Sequence, residues 1–259
     1  MKSRYMIGLA IAFSMLLAGC SSPVASPTPL PTGTPTEIPL PTNTPMPTET
    51  ALPTSAPSAG CLSTASSPIQ LEKQADGSWM FCDYEAGFQF QAGKNWYLED
   101  VSALDLMGIM DRASKITAKL GIKNAPQILV EPQGMRVLGI YTDESLPDYM
   151  MSGFNAAYVV DEGFAQMPLE NMQKRVIEIL AQSYGLDTKA FDTALAKNDL
   201  GTEYGVVRFN LALNYYQMRI FFKLDKGMGM ITFGYSDKNS DTFEPDWTLL
   251  TGSLKYTNP

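Results

Sequence analysis

The chain has 259 residues and a formal net charge of −8, with 19 Lys+Arg against 27 Asp+Glu and no histidine. The missing imidazole excludes Ser-His-Asp and Cys-His catalysis and every histidine metal site. The acidic balance argues against nucleic acid, which is held mainly through Lys and Arg on phosphates.

Residues 1–19 have the three parts of a secretory signal peptide. Lys2 and Arg4 form a positive start, and Ile7 to Ala18 is an unbroken apolar or small-residue run. That run is shorter than the roughly 20 residues a membrane-spanning helix needs. Leu17-Ala18-Gly19-Cys20 closes it and resembles the bacterial lipobox. The resemblance implies a diacylglyceryl group on the Cys20 sulfur, cleavage just before it, and a mature chain held to the membrane by acyl chains such as palmitate. Two or three such chains, at about 0.8 kcal/mol per buried methylene, anchor stably without a second membrane signal. The competing reading is an ordinary signal peptide ending near Ala18, with Cys20 as a plain thiol.

Residues 20–60 are the lipidated cysteine and a stalk. Residues 21–60 hold 11 prolines and nine threonines, with no aromatic residue and no Lys or Arg. Such a segment buries too little apolar surface to offset its ordering entropy, so a disordered, extended, polyproline-like chain is expected. At about 3.1 Å per residue it reaches on the order of 120 Å. It reads as a spacer, with or without O-glycans on its threonines.

Residues 61–259 have ordinary globular composition and read as a single domain. Lys2, Arg4, Glu37 and Glu49 are the charged residues that precede it, so its 17 basic and 25 acidic residues carry the whole −8. With Cys20 lipidated, Cys61 and Cys82 form an even pair in an oxidising compartment, which implies a disulfide. Closing a loop of about 22 residues contributes roughly 3 kcal/mol in the chain-entropy model. Two free or metal-binding thiols are the alternative.

Within the domain, Ala103–Leu120 reads as a helix. Ser102 with Asp105 has the form of a capping box, Leu106, Ile109, Met110, Ala113, Ile116 and Leu120 share one face, and Gly121 is placed to end it. Gln127–Val130 and Met135–Tyr141 read as strands, and Ala156–Val160 as a shorter one. A second helix covers Pro168–Tyr184, with the stripe Leu169, Met172, Val176, Ile177 and Leu180, the pair Glu170 and Lys174 on its wet side, and Gly185 as its stop. A weaker helix spans Lys189–Ala196. Glu203–Tyr235 is the best β region. In Tyr215–Leu224, Tyr216, Met218, Ile220, Phe222 and Leu224 take one face and Tyr215, Gln217, Arg219, Phe221 and Lys223 the other. Leu213-Asn214 and Asp225-Lys226-Gly227 are turn-like, so the strands form an antiparallel meander. A last helix over Phe243–Leu250 and an extended end at Ser253–Tyr256 complete an α+β fold.

Gly87-Phe88-Gln89-Phe90 with Trp96 soon after, then helices, the meander, and a terminal helix running into Ser253-Leu254-Lys255 resemble the PsbP/Mog1/DcrB-like superfamily. Over residues 80–256 the resemblance implies an antiparallel sheet packed with helices, an α-β-α sandwich common in bacterial lipoproteins. Ala92 stands where that family usually has proline, and Lys94-Asn95 precede the tryptophan. The superfamily shares no catalytic residues and many of its members bind or scaffold proteins, so the resemblance implies a binding role and transfers no site.

No Gly-x-Ser-x-Gly, P-loop or dinucleotide fingerprint occurs, and Gly227-Met228-Gly229 with Gly234 reads as hairpin. Asp237-Lys238-Asn239-Ser240-Asp241 has the first spacing of a calcium loop, but Thr242 and Thr248 occupy the positions of its glycine and glutamate. It reads instead as a polar turn opening the last helix, with Ser240 or Asp241 as cap. Met228 and Met230 have the chemistry of a thioether copper site and also the alternation of core strand residues, and the core is preferred. Asp143-Glu144 and Asp161-Glu162 are the adjacent carboxylates a glycosidase dyad would start from, and equally ordinary loop residues. Tyr215 and Phe221 beside Arg219 are a contact surface if uncovered and core if helices lie over them, and the core is preferred.

The expectation is a non-catalytic binding or accessory module of the cell envelope, extracytoplasmic and lipid-anchored at Cys20. It carries no catalytic residue, metal or other cofactor. Its partners are the membrane and another envelope protein, and nucleic acid is not among them. The alternative is a small carboxylate-dependent hydrolase at the cell surface.

Overall fold

The computed structural model describes residues 67–123, 129, 134–212 and 214–256. Cys20, Cys61, the segments read as signal peptide and stalk, and the expected Gln127–Val130 strand, Leu129 aside, lie outside the described residues. The elements run β1 (Ile69–Lys73), β2 (Trp79–Asp83), β3 (Phe88–Ala92), β4 (Trp96–Asp100), α1 (Leu106–Lys119), β5 (Met135–Tyr141), β6 (Gly153–Val160), α2 (Glu162–Gln166), α3 (Leu169–Tyr184), β7 (Phe191–Lys197), β8 (Glu203–Ala212), β9 (Tyr215–Leu224), β10 (Gly227–Ser236), α4 (Ser240–Ser253) and β11 (Lys255–Tyr256). The fold is α+β.

The strands form two antiparallel sheets, one in the order β1-β2-β3-β11 and one in the order β4-β5-β6-β10-β9-β8-β7. β9 shows how the larger sheet is buried on both sides. Its Met218, Ile220, Phe222 and Leu224 join the main core with Ile231 and Phe233 of β10, while Phe221 faces Met172, Val176 and Leu180 of α3. Val101 and α1, through Ile109, Ala113 and Ile116, cover Leu138 and Ile140 of β5. The main core is closed by Phe81, Phe88 and Phe90 of the small sheet and by Phe243 and Leu250 of α4. Aromatic contacts knit these layers, with Phe88 5.1 Å from Phe222 and Phe90 5.8 Å from Phe154 between ring centroids. The layer opposite α1 and α3 is therefore shared by a small sheet and one helix.

Several local expectations change. α1 begins at Leu106 because Asp105, not Ser102, accepts the Gly108 amide, at 2.8 Å. Asp100 instead holds Ser102 in a turn, accepting its amide at 2.9 Å. Only part of the α1 stripe faces the core, and Leu106, Met110 and Leu120 are exposed. α3 ends as read, on Gly185 in the left-handed region at φ 66. The weak helix at Lys189–Ala196 is wrong: after a 3-10 turn the chain becomes β7, paired with β8 residue for residue. Propensity there was weak enough for strand pairing to override it. α2 was not anticipated; Asp161 caps it, accepting the Phe164 amide at 3.2 Å.

Candidate functional site

One end of the larger sheet gathers turns from across the sequence. The two-residue turn Asp225-Lys226 joins β9 to β10, and Gly227 follows because a Cβ there would lie 1.9 Å from the Val159 carbonyl oxygen. The β2–β3 turn is shaped by Asp83, whose carboxylate accepts the amides of Glu85 at 3.0 Å and Ala86 at 2.8 Å. With the α2–α3 connection, the β7–β8 hairpin and Tyr256, these turns line a groove of about 1260 Å³.

Its apolar wall includes Met167, Pro168, Leu169 and Leu195, and its charged groups are Glu85, Glu170, Glu203, Asp225, Lys197, Lys223 and Lys226. Arg136 Nη2 donates to Glu85 at 2.6 Å, and Lys197 lies 3.5 Å from Glu203. Among the described residues, Glu170, Asp225, Lys223 and Lys226 have no ion pair, so both signs remain available to a ligand.

The titration directions bear on chemistry. The hydrogen bond from Arg136 holds the Glu85 carboxyl below its usual range. Burial, helped by Glu203, pushes the Tyr256 phenol up to about 12, and burial likewise raises Tyr84 and Tyr158. General acid–base groups need the opposite, a shift toward the working pH. The groove therefore offers apolar surface and charges of both signs, and its shifted groups, Glu85 and the three phenols, are moved away from neutrality.

Other candidate residues serve the fold. Asp143 accepts the amide and hydroxyl of Ser145, at 3.0 and 2.5 Å, while Glu144 accepts the Lys123 amide at 3.2 Å. Asp161 is the α2 cap, so neither acidic pair converges on a common point. The Asp237–Asp241 segment is a 3-10 turn leading into α4, with buried Asn239 donating to the Pro147 carbonyl. Asn239, not Ser240 or Asp241, is the residue at the cap position. Among the described residues no group of three or more His, Cys, Asp or Glu could hold a metal ion, and no helix is long and apolar enough to cross a membrane. Met228, Met230, Tyr215, Phe221 and Arg219 are all buried, as the core reading had it. Arg219 donates to Tyr184 at 3.1 Å and to Met230 sulfur at 3.4 Å, and burial pushes the Tyr215 phenol up to about 12. Cys82 is buried in β2 and disulfide-bonded.

Two carboxylates, Asp83 fully buried and Asp246 half-buried, escaped the sequence reading. Asp83 is paired with Arg136, 2.6 Å from its Nε, and Asp246 of α4 accepts Trp96 Nε1 at 2.9 Å beneath the β3–β4 turn. Nothing local marks either pair, since their members stand 53 and 150 positions apart. Gly93 belongs to the second, because a Cβ there would come 1.9 Å from Asp246 Oδ1. Burial raises the Asp246 carboxyl from 3.8, opposed by the Trp96 hydrogen bond. A carboxyl raised in the folded state binds its proton more tightly there than in the unfolded chain. Its ionisation therefore costs stability as pH rises from 3.8 through the folded value. Asp246→Asn keeps an acceptor for Trp96 without the charge. It is expected to melt higher than the wild type at pH 7, with the gap closing as pH falls through that window. Thermal unfolding from pH 3 to 8 checks this, and a gap independent of pH would refute it.

No family model and no curated protein matches the chain. Among solved structures, it is similar to the solution structure of cyanobacterial PsbP (CyanoP) from Synechocystis sp. PCC 6803, at 9% identity and a TM-score of 0.39, covering 78% of this chain and 99% of that one. At that identity no site residue transfers.

Proposed function

We propose that the chain is a lipid-anchored extracytoplasmic module of the bacterial envelope whose folded part binds another envelope component in the groove without performing chemistry. The observation that supports binding most directly is the groove itself: concave, half apolar, and with charges of both signs that have no ion pair among the described residues. The anchor rests on the Leu17-Ala18-Gly19-Cys20 tetrad and the export signal before it. Export also supports the disulfide, since a disulfide-bonded Cys82 with Cys20 lipidated leaves Cys61 as its partner.

Metabolic labelling with a palmitate analogue is expected to tag the wild type and leave Cys20→Ala unlabelled, with the variant released from membranes. Equal labelling of both would remove the anchor. The purified protein is expected to be silent on ester, peptide, phosphate and glycoside panels. Hydrolysis abolished by a single Asp or Glu substitution in the groove would replace the binding reading with the carboxylate hydrolase.

A further inference from the structure

We propose that β7 is a docking edge for an extended, mixed-charge segment of a partner polypeptide, which adds a strand to the larger sheet and runs into the groove. This rests on the binding reading and names the occupant.

The edges of the two sheets are unequal. β1 and β4 are five residues long and β11 two, whereas β7 has seven. Among the described residues no strand pairs with its outer side. Asp192 to Leu195 are all exposed, and the register with β8 runs unbroken from Phe191↔Phe209 to Lys197↔Glu203. Exposed edges are commonly protected by brevity, proline, a bulge or central charges. β7 is long for an edge, has no proline and no bulge, and carries its charges at Asp192 and Lys197, toward its ends.

The chemistry of such an edge selects its partner. Alternating N–H and C=O groups at strand spacing are matched by another peptide backbone, the basis of strand-addition recognition. Gln173 of α3 holds one of these acceptors, its Nε2 donating to the Ala194 carbonyl at 3.1 Å in an exposed contact that an incoming backbone N–H displaces. The terminal charges suit exchange. Asp192 lies 2.9 Å from Arg208 and Lys197 3.5 Å from Glu203, in exposed pairs. Such pairs contribute little, so a partner's base near Asp192 and acid near Lys197 can take over from them. Leu195, Ala196 and Lys197 then lead directly into the groove wall, where Lys223, Lys226, Glu170 and Asp225 await side chains of both signs.

The test selects a displayed library of random twelve-residue peptides on the full-length protein in detergent micelles, then reads hydrogen exchange with a selected peptide bound. The expected result is one-to-one binding that slows the β7 amides at least tenfold, weakened at least tenfold by Ala194→Pro and by Thr193→Lys. Thr193 is exposed and does not line the groove, so its lysine variant keeps the native melting temperature while blocking the edge. A peptide that protects the groove turns but not β7 overturns strand addition and leaves the binding reading standing. Failure to select any peptide, or β7 amides already slow in the free protein through a second copy or another segment of the chain, also overturns it.

Discussion

Replacing Arg136 by leucine is expected to lower the unfolding free energy by about 3–5 kcal/mol, the usual consequence of removing one partner from a buried ion pair. Asp83 is completely buried and Arg136 is 12% exposed. The guanidinium reaches the carboxylate through Nε at 2.6 Å and Nη2 at 3.2 Å. Burial works against the Arg136 charge, and the hydrogen bonds to Asp83 and Glu85 overcome it, holding the group above its ordinary range. Since Asp83 belongs to β2 and Arg136 to β5, the pair fastens one sheet to the other. Leucine fills much of the space but leaves a carboxylate in the core with two amides for company. Urea unfolding should show the loss, with a melting temperature lower by on the order of 10 °C for a domain of this size. The double variant Asp83→Asn/Arg136→Leu should recover part of it, because no charge is then stranded. A loss below about 1 kcal/mol in the single variant, the range of exposed pairs, would mean that water reaches the site.

Trp96→Ala is expected to cost about 3–5 kcal/mol from packing alone. The indole is 2% exposed. It sits among four rings, with centroids 5.0 Å from Tyr141, 5.5 Å from Phe154, 6.0 Å from Phe233 and 5.8 Å from Phe243. These come from β5, β6, β10 and α4, so the residue that opens β4 joins the sheet to the last helix. Its N–H is also the donor that opposes the rise in the Asp246 carboxyl. Trp96→Phe separates the two contributions, keeping an aromatic ring while removing the donor. It should lose about 1.5–3 kcal/mol, as expected for a hydrogen bond to a charged group. If Trp96→Phe matches the wild type at pH 7, the Asp246 contact contributes nothing and the alanine loss is packing alone.

Both variants probe contacts between residues 53 and 150 positions apart, which the sequence did not foretell, whereas local elements were legible. The alternation in Tyr215–Leu224 assigned each side chain of β9 to its correct face, because a strand's period of two is a local property. The Leu169–Tyr184 helix was legible for the same reason, its apolar spacing and Gly185 both lying within the element. α1 was legible in extent but not in orientation. Leu106 and Met110 share the apolar spacing of Ile109 and Ala113, yet the sheet covers only part of that stripe. β7 was misread because Phe191–Lys197 has no pattern of its own and is a strand by virtue of β8 beside it.

By itself the sequence determined the apolar run that ends in the Leu17-Ala18-Gly19-Cys20 tetrad, the proline–threonine segment, the absence of histidine chemistry, the α+β class and the core side of the central strands. Each of these is written in composition, a short motif or a local period. Only the tertiary structure decided that the strands divide into two sheets, that Asp83 meets Arg136 and Asp246 meets Trp96, that four distant connections and Tyr256 meet in one groove, and that β7 is left as the long exposed edge. Those features depend on pair energies between residues far apart in the chain, and a buried carboxylate and an exposed one look the same in the sequence until the fold decides which of them loses its water.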